Sequence, residues 1–301
     1  MHIHQRTVAR PVSCSGVGVH SGKKANLTIK PAPSNHGIKF VRTDLPESPS
    51  ISAHFNMVVD TSQATVIGYD GYIISTIEHL MATFAGLSID NAFVELDTYE
   101  MPIMDGSAGT FTSLIKEAGI EEQAAPRYYF VVKKPIELKK DGKSVGVYPC
   151  STYKITCTIE YDHTLINRQV YSVDVSEQVF EREISRARTF GFLHDYEYLK
   201  HYGLARGVSL ENVVVIDKHD VVNDDGLRYQ DEFVRHKILD CIGDFSLLGM
   251  PILGHVVVSK SGHAFNHAFL KEFFAQKESW ETSTLNDIND LSSFQSKPLA
   301  I

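Results

Sequence analysis

The sequence predicts an α+β fold of two similar layered domains, each a β-sheet packed with helices. The chain has 301 residues, a length that corresponds to about two domains. Each half opens with strand patterns of alternating apolar and polar residues and continues with a helix that carries a histidine in its N-terminal part. The segment 121–126 is polar, has small residues and ends in proline, so we expect domains at 1–125 and 126–301.

The elements of the first half follow from the spacing of apolar residues. A helix is expected at 75–86 because its apolar residues recur at helical spacing and share one face: Ile77, Leu80, Met81, Phe84 and Leu87. Alternation predicts strands at 25–30, 37–41 and 91–96, and a further helix is expected to end near Gly119.

The second half shows the same two kinds of pattern. Strands are expected at 128–132, 144–148, 154–159, 212–216 and 254–258. Helices are expected at 176–187, 195–202, 230–248 and 268–281, and the tail after residue 290 is expected to be frayed.

Composition narrows the class of protein. Lys and Arg total 29 against 37 Asp and Glu, and the resulting net charge of −8 argues against a nucleic-acid partner. No apolar run approaches 18 residues and the start lacks a secretory apolar region, so we expect neither a transmembrane segment nor export. The four cysteines are scattered, which is typical of reduced thiols in a cytoplasmic protein. The absence of a heptad pattern favours a monomer.

The helix at 230–248 carries the first candidate for chemistry. At about 100° per residue, His236 and Asp240 lie one turn apart on the face opposite the apolar residues. An imidazole nitrogen and a carboxylate oxygen suit Zn²⁺ and other borderline divalent ions. The alternative is an ordinary solvated helix face, where such pairs are common.

Two further segments each offer a functional and a structural interpretation. Glu78 and His79 could be a general base beside a metal ligand, but Ser75 and Glu78 also match a capping box, and His79 could be an ordinary core or rim residue. His263 follows a buried strand in a glycine turn, where functional side chains are common, but it could equally be an uninvolved loop histidine. Together these residues would supply three metal ligands, a base for a water molecule and an acid for a leaving amine.

Six separated segments, in the right order, resemble the UDP-3-O-acyl-N-acetylglucosamine deacetylase family, zinc amidases of lipid A synthesis. The resemblance covers about residues 3–285 and is carried by 16–23, 75–81, 103–108, 184–192, 233–244 and 260–264. It implies two α+β domains with the active site at their junction. It also implies hydrolysis of the acetamide of a nucleotide-sugar lipid precursor to the free amine and acetate.

The resemblance also implies roles for individual residues. The metal ligands would be His79, His236 and Asp240, binding Zn²⁺, although such a ligand set also tolerates Fe²⁺. Glu78 would be the base, His263 the acid tuned by Asp244, and Thr189 a donor to the oxyanion. The remaining substrate contacts would be Lys237 at the polar head, Phe190 and Phe192 along the substrate surface, and Tyr161 stacked on uracil.

A βαβ insert near 191–220 is implied as an acyl-chain passage. Its apolar area would come from Phe192, Tyr196, Tyr198, Leu199, Val208 and Leu210. Two other functions stay open from the residues: a non-catalytic nucleotide-sugar or lipid-binding protein that keeps the fold without metal, and a metal amidase with another N-acetylated substrate.

Overall fold

The computed structural model describes residues 1–288, and the tail expected to be frayed after residue 290 lies outside them. The predicted α+β class is confirmed, since several sheets pack against helices. Within 1–288, none of the helices combines the length and hydropathy needed to cross a bilayer.

The first half is built from ten strands and two helices. The strands are β1 His4–Val8, β2 Val12–Val17, β3 Lys24–Pro31, β4 Ile38–Arg42, β5 Ser50–Ser52, β6 Val58–Asp60, β7 Val66–Tyr69, β8 Tyr72–Ile74, β9 Ala92–Leu96 and β10 Ile120–Pro126. The helices are α1 Glu78–Gly86 and α2 Gly109–Ala118. The largest sheet has the order β2-β3-β9-β4-β5, and a smaller one the order β6-β7-β8.

The second half carries nine strands, of which seven form one large sheet and β16 and β17 form a separate pair. The strands are β11 Tyr128–Val132, β12 Ile136–Lys140, β13 Lys143–Tyr148, β14 Tyr153–Glu160, β15 Arg168–Asp174, β16 Phe190–Phe192, β17 Val214–Ile216, β18 Ile252–Ser259 and β19 Trp280–Thr284. The helices are α3 Glu177–Val179, α4 Leu193–His201, α5 Glu232–Ser246, α6 His263–Ala275 and α7 Leu285–Ile288. The path β12-β13-β18-β11-β19 forms the sheet, with β14 on β18 and β15 on β14.

The segment 121–126, where the domain boundary is expected, forms β10 and pairs antiparallel with β1. The expected bounds of the last long helix were wrong. The last long helix, α6, starts five residues before the expected residue 268 and ends at Ala275. The expected end of that helix is instead β19, which is held by antiparallel pairing with β11.

The helices α1 and α5 meet in the middle of the molecule. Their apolar faces join one core that includes Leu80 and Phe84 from α1 and Ile238 and Phe245 from α5. A β-carbon on Gly243 would clash with the backbone of Glu78, so glycine at this point permits the close approach of the two helices. Polar residues at the start of α1 and along α5 are thereby brought face to face.

Candidate metal centre

Three donor side chains converge where α1 meets α5. His79 is the second residue of α1, and His236 and Asp240 lie one turn apart on α5. Their ligand atoms all lie within 4.8 Å of one another, with Asp240 Oδ1 at 3.7 Å from His79 Nε2 and 3.3 Å from His236 Nε2. Metal–ligand bonds of about 2.0–2.1 Å in a tetrahedron separate ligands by about 3.3 Å, so this spacing fits a divalent ion.

The hydrogen bonds of His236 leave one ring nitrogen free for a metal. Its Nδ1 lies 3.0 Å from the carbonyl oxygen of Ala187, and because a carbonyl only accepts, Nδ1 is the protonated nitrogen. Burial lowers the pKa of His236 to about 3, so the ring is neutral at ordinary pH. Its Nε2 therefore presents a lone pair towards His79 and Asp240.

Asp240 has one oxygen satisfied and one without a partner. Lys237 Nζ donates to Oδ2 at 2.8 Å, whereas Oδ1 is buried and accepts no hydrogen bond from residues 1–288. Burial opposes its ionisation, but His236 and Lys237 outweigh it and hold the pKa of Asp240 well below the usual value. A buried carboxylate oxygen without a donor is costly unless a cation meets it, and this atom is the direct sign that the residues fit a metal.

Two of the structural alternatives are wrong: the solvated face of α5 and the capping box at Glu78. The α5 face is not solvated, because His236 and Asp240 are 2% and 4% exposed and pack against α1. Glu78 does not close a capping box either: the residue before the helix, Ile77, makes no side-chain cap, and Ser75 N donates to the carbonyl of Tyr99.

Glu78 instead points into the centre. Its Oε2 accepts a hydrogen bond from Thr65 N at 3.0 Å, and its Oε1 lies 3.8 Å from His263 Nε2. Burial raises the pKa of Glu78 above its ordinary value. A buried carboxylate next to three metal-type donors, with a raised pKa, is suited to taking a proton from water.

His263 lies across the cavity from the metal-type donors, at the first residue of α6. Its Nδ1 lies 2.8 Å from Asp244 Oδ2. Burial alone would lower the pKa of His263, but the charges of Asp244 and Glu78 outweigh it and raise this pKa to about 10. Asp244 is itself held by Thr65 Oγ1 at 2.6 Å and Asn266 Nδ2 at 2.8 Å. His263 is thus a cationic acid held in a fixed orientation.

A cavity of about 430 Å³ joins these groups to the predicted oxyanion donor. Thr189, Phe190 and Lys237 line it together with the metal-type donors, Glu78 and His263. Thr189 is placed by its backbone, because its N donates to Gly106 O and its O accepts from Val214 N, both at 2.8 Å. The residues expected at the reacting group therefore line one cavity, except Asp244, which hydrogen-bonds His263 in the cavity wall.

An apolar cavity of about 500 Å³ opens beside the first one. Residues from the parallel pair β16 and β17 and from α4 surround it, which gives the βαβ arrangement expected for the insert. Most of the residues named from the sequence line it: Tyr161, Phe190, Phe192, Tyr196, Leu199, Val208 and Leu210. Tyr198 does not, since it is 64% exposed on α4. Tyr161 packs against Phe190 and Phe192, with ring centroids 5.8 Å apart in both cases.

Sequence reasoning missed Thr65, which donates hydrogen bonds to Glu78 and Asp244, and Asn266, which donates to Asp244. Thr65 offers no signal, because it lies in a short strand-flanking segment without a motif. Asn266 stands three residues after His263, one turn along α6, and recognising that helix would have placed it on the same face.

The fold and the centre define an α+β metallohydrolase: two histidines and an aspartate are arranged as they would be for one metal ion, with a buried glutamate and a further histidine beside them. A family model described as "LpxC: UDP-3-O-acyl N-acetylglycosamine deacetylase" matches residues 5–275, and the chain belongs to this family of metalloenzymes.

Curated relatives that match the chain carry the same name, UDP-3-O-acyl-N-acetylglucosamine deacetylase. The protein of Myxococcus xanthus is 50% identical over 278 residues, which cover 92% of this chain and 88% of the relative. That of Chromohalobacter salexigens is 47% identical and covers 95% of both chains. One from Coxiella burnetii is 46% identical and covers 96% of both.

Proposed function

We propose that this chain hydrolyses the acetamide of UDP-3-O-acyl-N-acetylglucosamine, releasing acetate and the free amine, with Zn²⁺ held by His79, His236 and Asp240. Family membership supports the reaction and its place in lipid A biosynthesis. The observation that carries the proposal is the buried, unpartnered Oδ1 of Asp240 between two histidine Nε2 atoms. Two nitrogens and one oxygen suit zinc, and Fe²⁺ is the second ion that this donor set accepts.

A bound divalent ion supplies a Lewis acid that polarises the acetamide carbonyl and makes a nearby water molecule more acidic. Glu78 is the group that accepts the proton of the attacking water. Its carboxylate is held by Thr65 N, so its orientation is fixed before substrate binds. Its raised pKa makes it a stronger base than an exposed glutamate.

His263 donates the proton that the leaving amine needs. With a pKa of about 10 it is protonated at neutral pH, and Asp244 keeps the ring turned so that Nε2 faces Glu78 and the cavity. Thr189 stabilises the oxygen on which negative charge develops, and Lys237 contacts the polar part of the substrate while it braces Asp240.

The apolar cavity receives the acyl chain. It shares Phe190, Leu199, Val208 and Lys237 with the cavity of the reacting group, so one substrate can span both. Phe192 adds apolar surface deeper in this passage, and Tyr161 stands at its wall as the candidate for stacking on uracil.

A domain boundary near residue 125, a monomeric state and a cytoplasmic location are also proposed. The free cysteines support the location, because reduced thiols are typical of the cytosol.

Metal content and acetate release together test the proposal. Protein purified without chelator should hold about one ion per chain, and acetate release from the UDP-linked substrate should stop when a chelator removes it. His236→Ala should lose both, whereas His255→Ala, a histidine on β18 that hydrogen-bonds Thr156, should keep both. Metal-free protein that is active with chelator present contradicts the metal role. Equal activity on UDP-N-acetylglucosamine without an acyl chain contradicts the substrate.

A further inference from the structure

A buried ion pair lies directly beside the metal centre and is not used by the reaction. Arg188 is 2% exposed and Glu232 is 0% exposed. Glu232 Oε1 accepts from both Arg188 Nε and Arg188 N, at 2.9 Å each, and Oε2 accepts from Arg188 Nη2 at 3.2 Å. The guanidinium also donates to Asp225 and to the carbonyl of Gly226, so the pair is fully hydrogen-bonded.

Both residues of this ion pair are close in the chain to residues of the metal centre. Arg188 stands between Ala187, whose carbonyl orients the ring of His236, and Thr189, the candidate oxyanion donor. Glu232 is the first residue of α5, about one turn before His236. The pair therefore fixes the segment 187–189 against the start of the helix that carries two of the metal-type donors.

We propose that Arg188 and Glu232 are positioning residues of the metal centre: they hold the Ala187 carbonyl where it selects the tautomer of His236 and hold Thr189 at the cavity. This inference rests on the proposed function, because it concerns the same centre. The hydrogen bond from Arg188 N to Glu232 makes the effect direct, since it ties the backbone between Ala187 and Thr189 to α5. Partners that orient a metal-binding histidine typically change metal affinity or activity by about 10–100-fold when removed.

A matched control separates positioning from general stability. Arg127 is likewise buried, and its Nε donates to Asp90 Oδ1 at 2.8 Å. That pair joins the residue before β11 to the segment before β9, and neither residue lines the cavity of the metal-type donors. Removing either arginine leaves its partner without a cation; this partner is the fully buried Glu232 in one case and the partly buried Asp90 in the other. Arg188→Met and Arg127→Met should therefore both lower the thermal midpoint.

Metal affinity is the readout that distinguishes the two pairs. Wild-type protein, Arg188→Met, Glu232→Gln and Arg127→Met are loaded with Zn²⁺ and titrated with a chelator, and the Co²⁺ forms are compared by visible absorption. We expect affinity about 10–100-fold weaker and altered Co²⁺ bands in the first two variants, and the wild-type affinity and spectrum in Arg127→Met. Arg188→Lys, which keeps the charge and part of the hydrogen bonding, should recover part of the affinity.

The measurements distinguish a failure of the proposed function from a failure of the positioning role alone. Wild-type protein that binds neither ion overturns the proposed function and this inference with it. Wild-type binding together with equal affinity and spectra in Arg188→Met, Glu232→Gln and Arg127→Met overturns the positioning role alone. Should Arg188→Met fail to fold, the comparison of Glu232→Gln and Arg188→Lys with Arg127→Met decides the question in the same way.

Discussion

A β-carbon on Gly243 would lie 2.1 Å from the carbonyl oxygen of Glu78, so α5 and α1 touch backbone to backbone beside the candidate metal centre. This contact sets the separation between the two helices. Since His79 lies on α1 whereas His236 and Asp240 lie on α5, the same contact also sets the distance over which the three donors can share an ion.

Gly243→Ala should therefore destabilise the protein and weaken metal binding. Alanine favours a helix interior over glycine by about 1 kcal/mol, but overpacking costs about 1–3 kcal/mol, and the atom in the way is backbone that cannot rotate aside. Urea unfolding and chelator competition measure the two effects. Gly191→Ala is the control, because a β-carbon there meets nothing within 4 Å. Wild-type affinity in Gly243→Ala would show that the donors do not depend on this contact.

Val208→Phe should select against long acyl chains. Val208 lines both cavities, so a larger side chain there narrows the passage between them. A substrate chain that does not fit an apolar pocket loses about 1–3 kcal/mol of transition-state stabilisation, which lowers kcat/KM by about 10–200-fold. The ratio of kcat/KM for long-chain and short-chain substrates measures the effect. The control is Tyr198→Phe, on the exposed side of α4, which should leave this ratio unchanged. If Val208→Phe also leaves the ratio unchanged, the acyl chain does not bind in this passage.

The sequence predicted the candidate site best where two of its residues lie close together on one helix. His236 and Asp240 could be placed on one helix face because helical periodicity fixes the relation of residues four apart. Their burial could not be predicted, because it depends on α1, which packs against that face from far away in the chain. The same reason explains why Ser75 is no helix cap: its backbone pairs with Tyr99 instead.

Long-range pairing also explains what was missed in the second half. The pattern at 268–281 suggested one helix, but Trp280 belongs to β19, which exists through its pairing with β11. Arg188 stood within a segment that resembles the family, yet its role depends on Glu232, which is 44 residues away in the chain.

Asp244→Asn should move the alkaline limb of the pH profile to lower pH. His263 acts as an acid only when protonated, so its pKa of about 10 keeps activity at neutral pH and lets it fall as the pH rises through that value. Removing the Asp244 charge takes away the largest of the effects that raise the pKa of His263, whereas burial still lowers this pKa. The pH dependence of kcat/KM measures the limb, which belongs to the coupled site.

Thr65→Val is the control for this shift. It removes the hydroxyl that donates to Asp244 Oδ1 but keeps the carboxylate beside His263. Its alkaline limb should stay closer to that of the wild type than the limb of Asp244→Asn. A limb that stays in place in both variants would assign it to a group other than His263.

Glu78→Gln should abolish most of the turnover without destabilising the metal-free protein. The amide keeps an oxygen that can accept from Thr65 N, but it cannot take a proton from water, so kcat should fall by about 10²–10⁴-fold. Burial raises the pKa of Glu78, which means that its ionised form is less favourable in the folded than in the unfolded chain. At neutral pH, a neutral side chain should therefore leave the free energy of unfolding unchanged or higher. Acetate release, metal content and urea unfolding measure the three properties, with the exposed Glu117→Gln on α2 as control. A metal-loaded Glu78→Gln enzyme with wild-type turnover would remove Glu78 as the base, and a large loss of stability would show that its charge supports the fold.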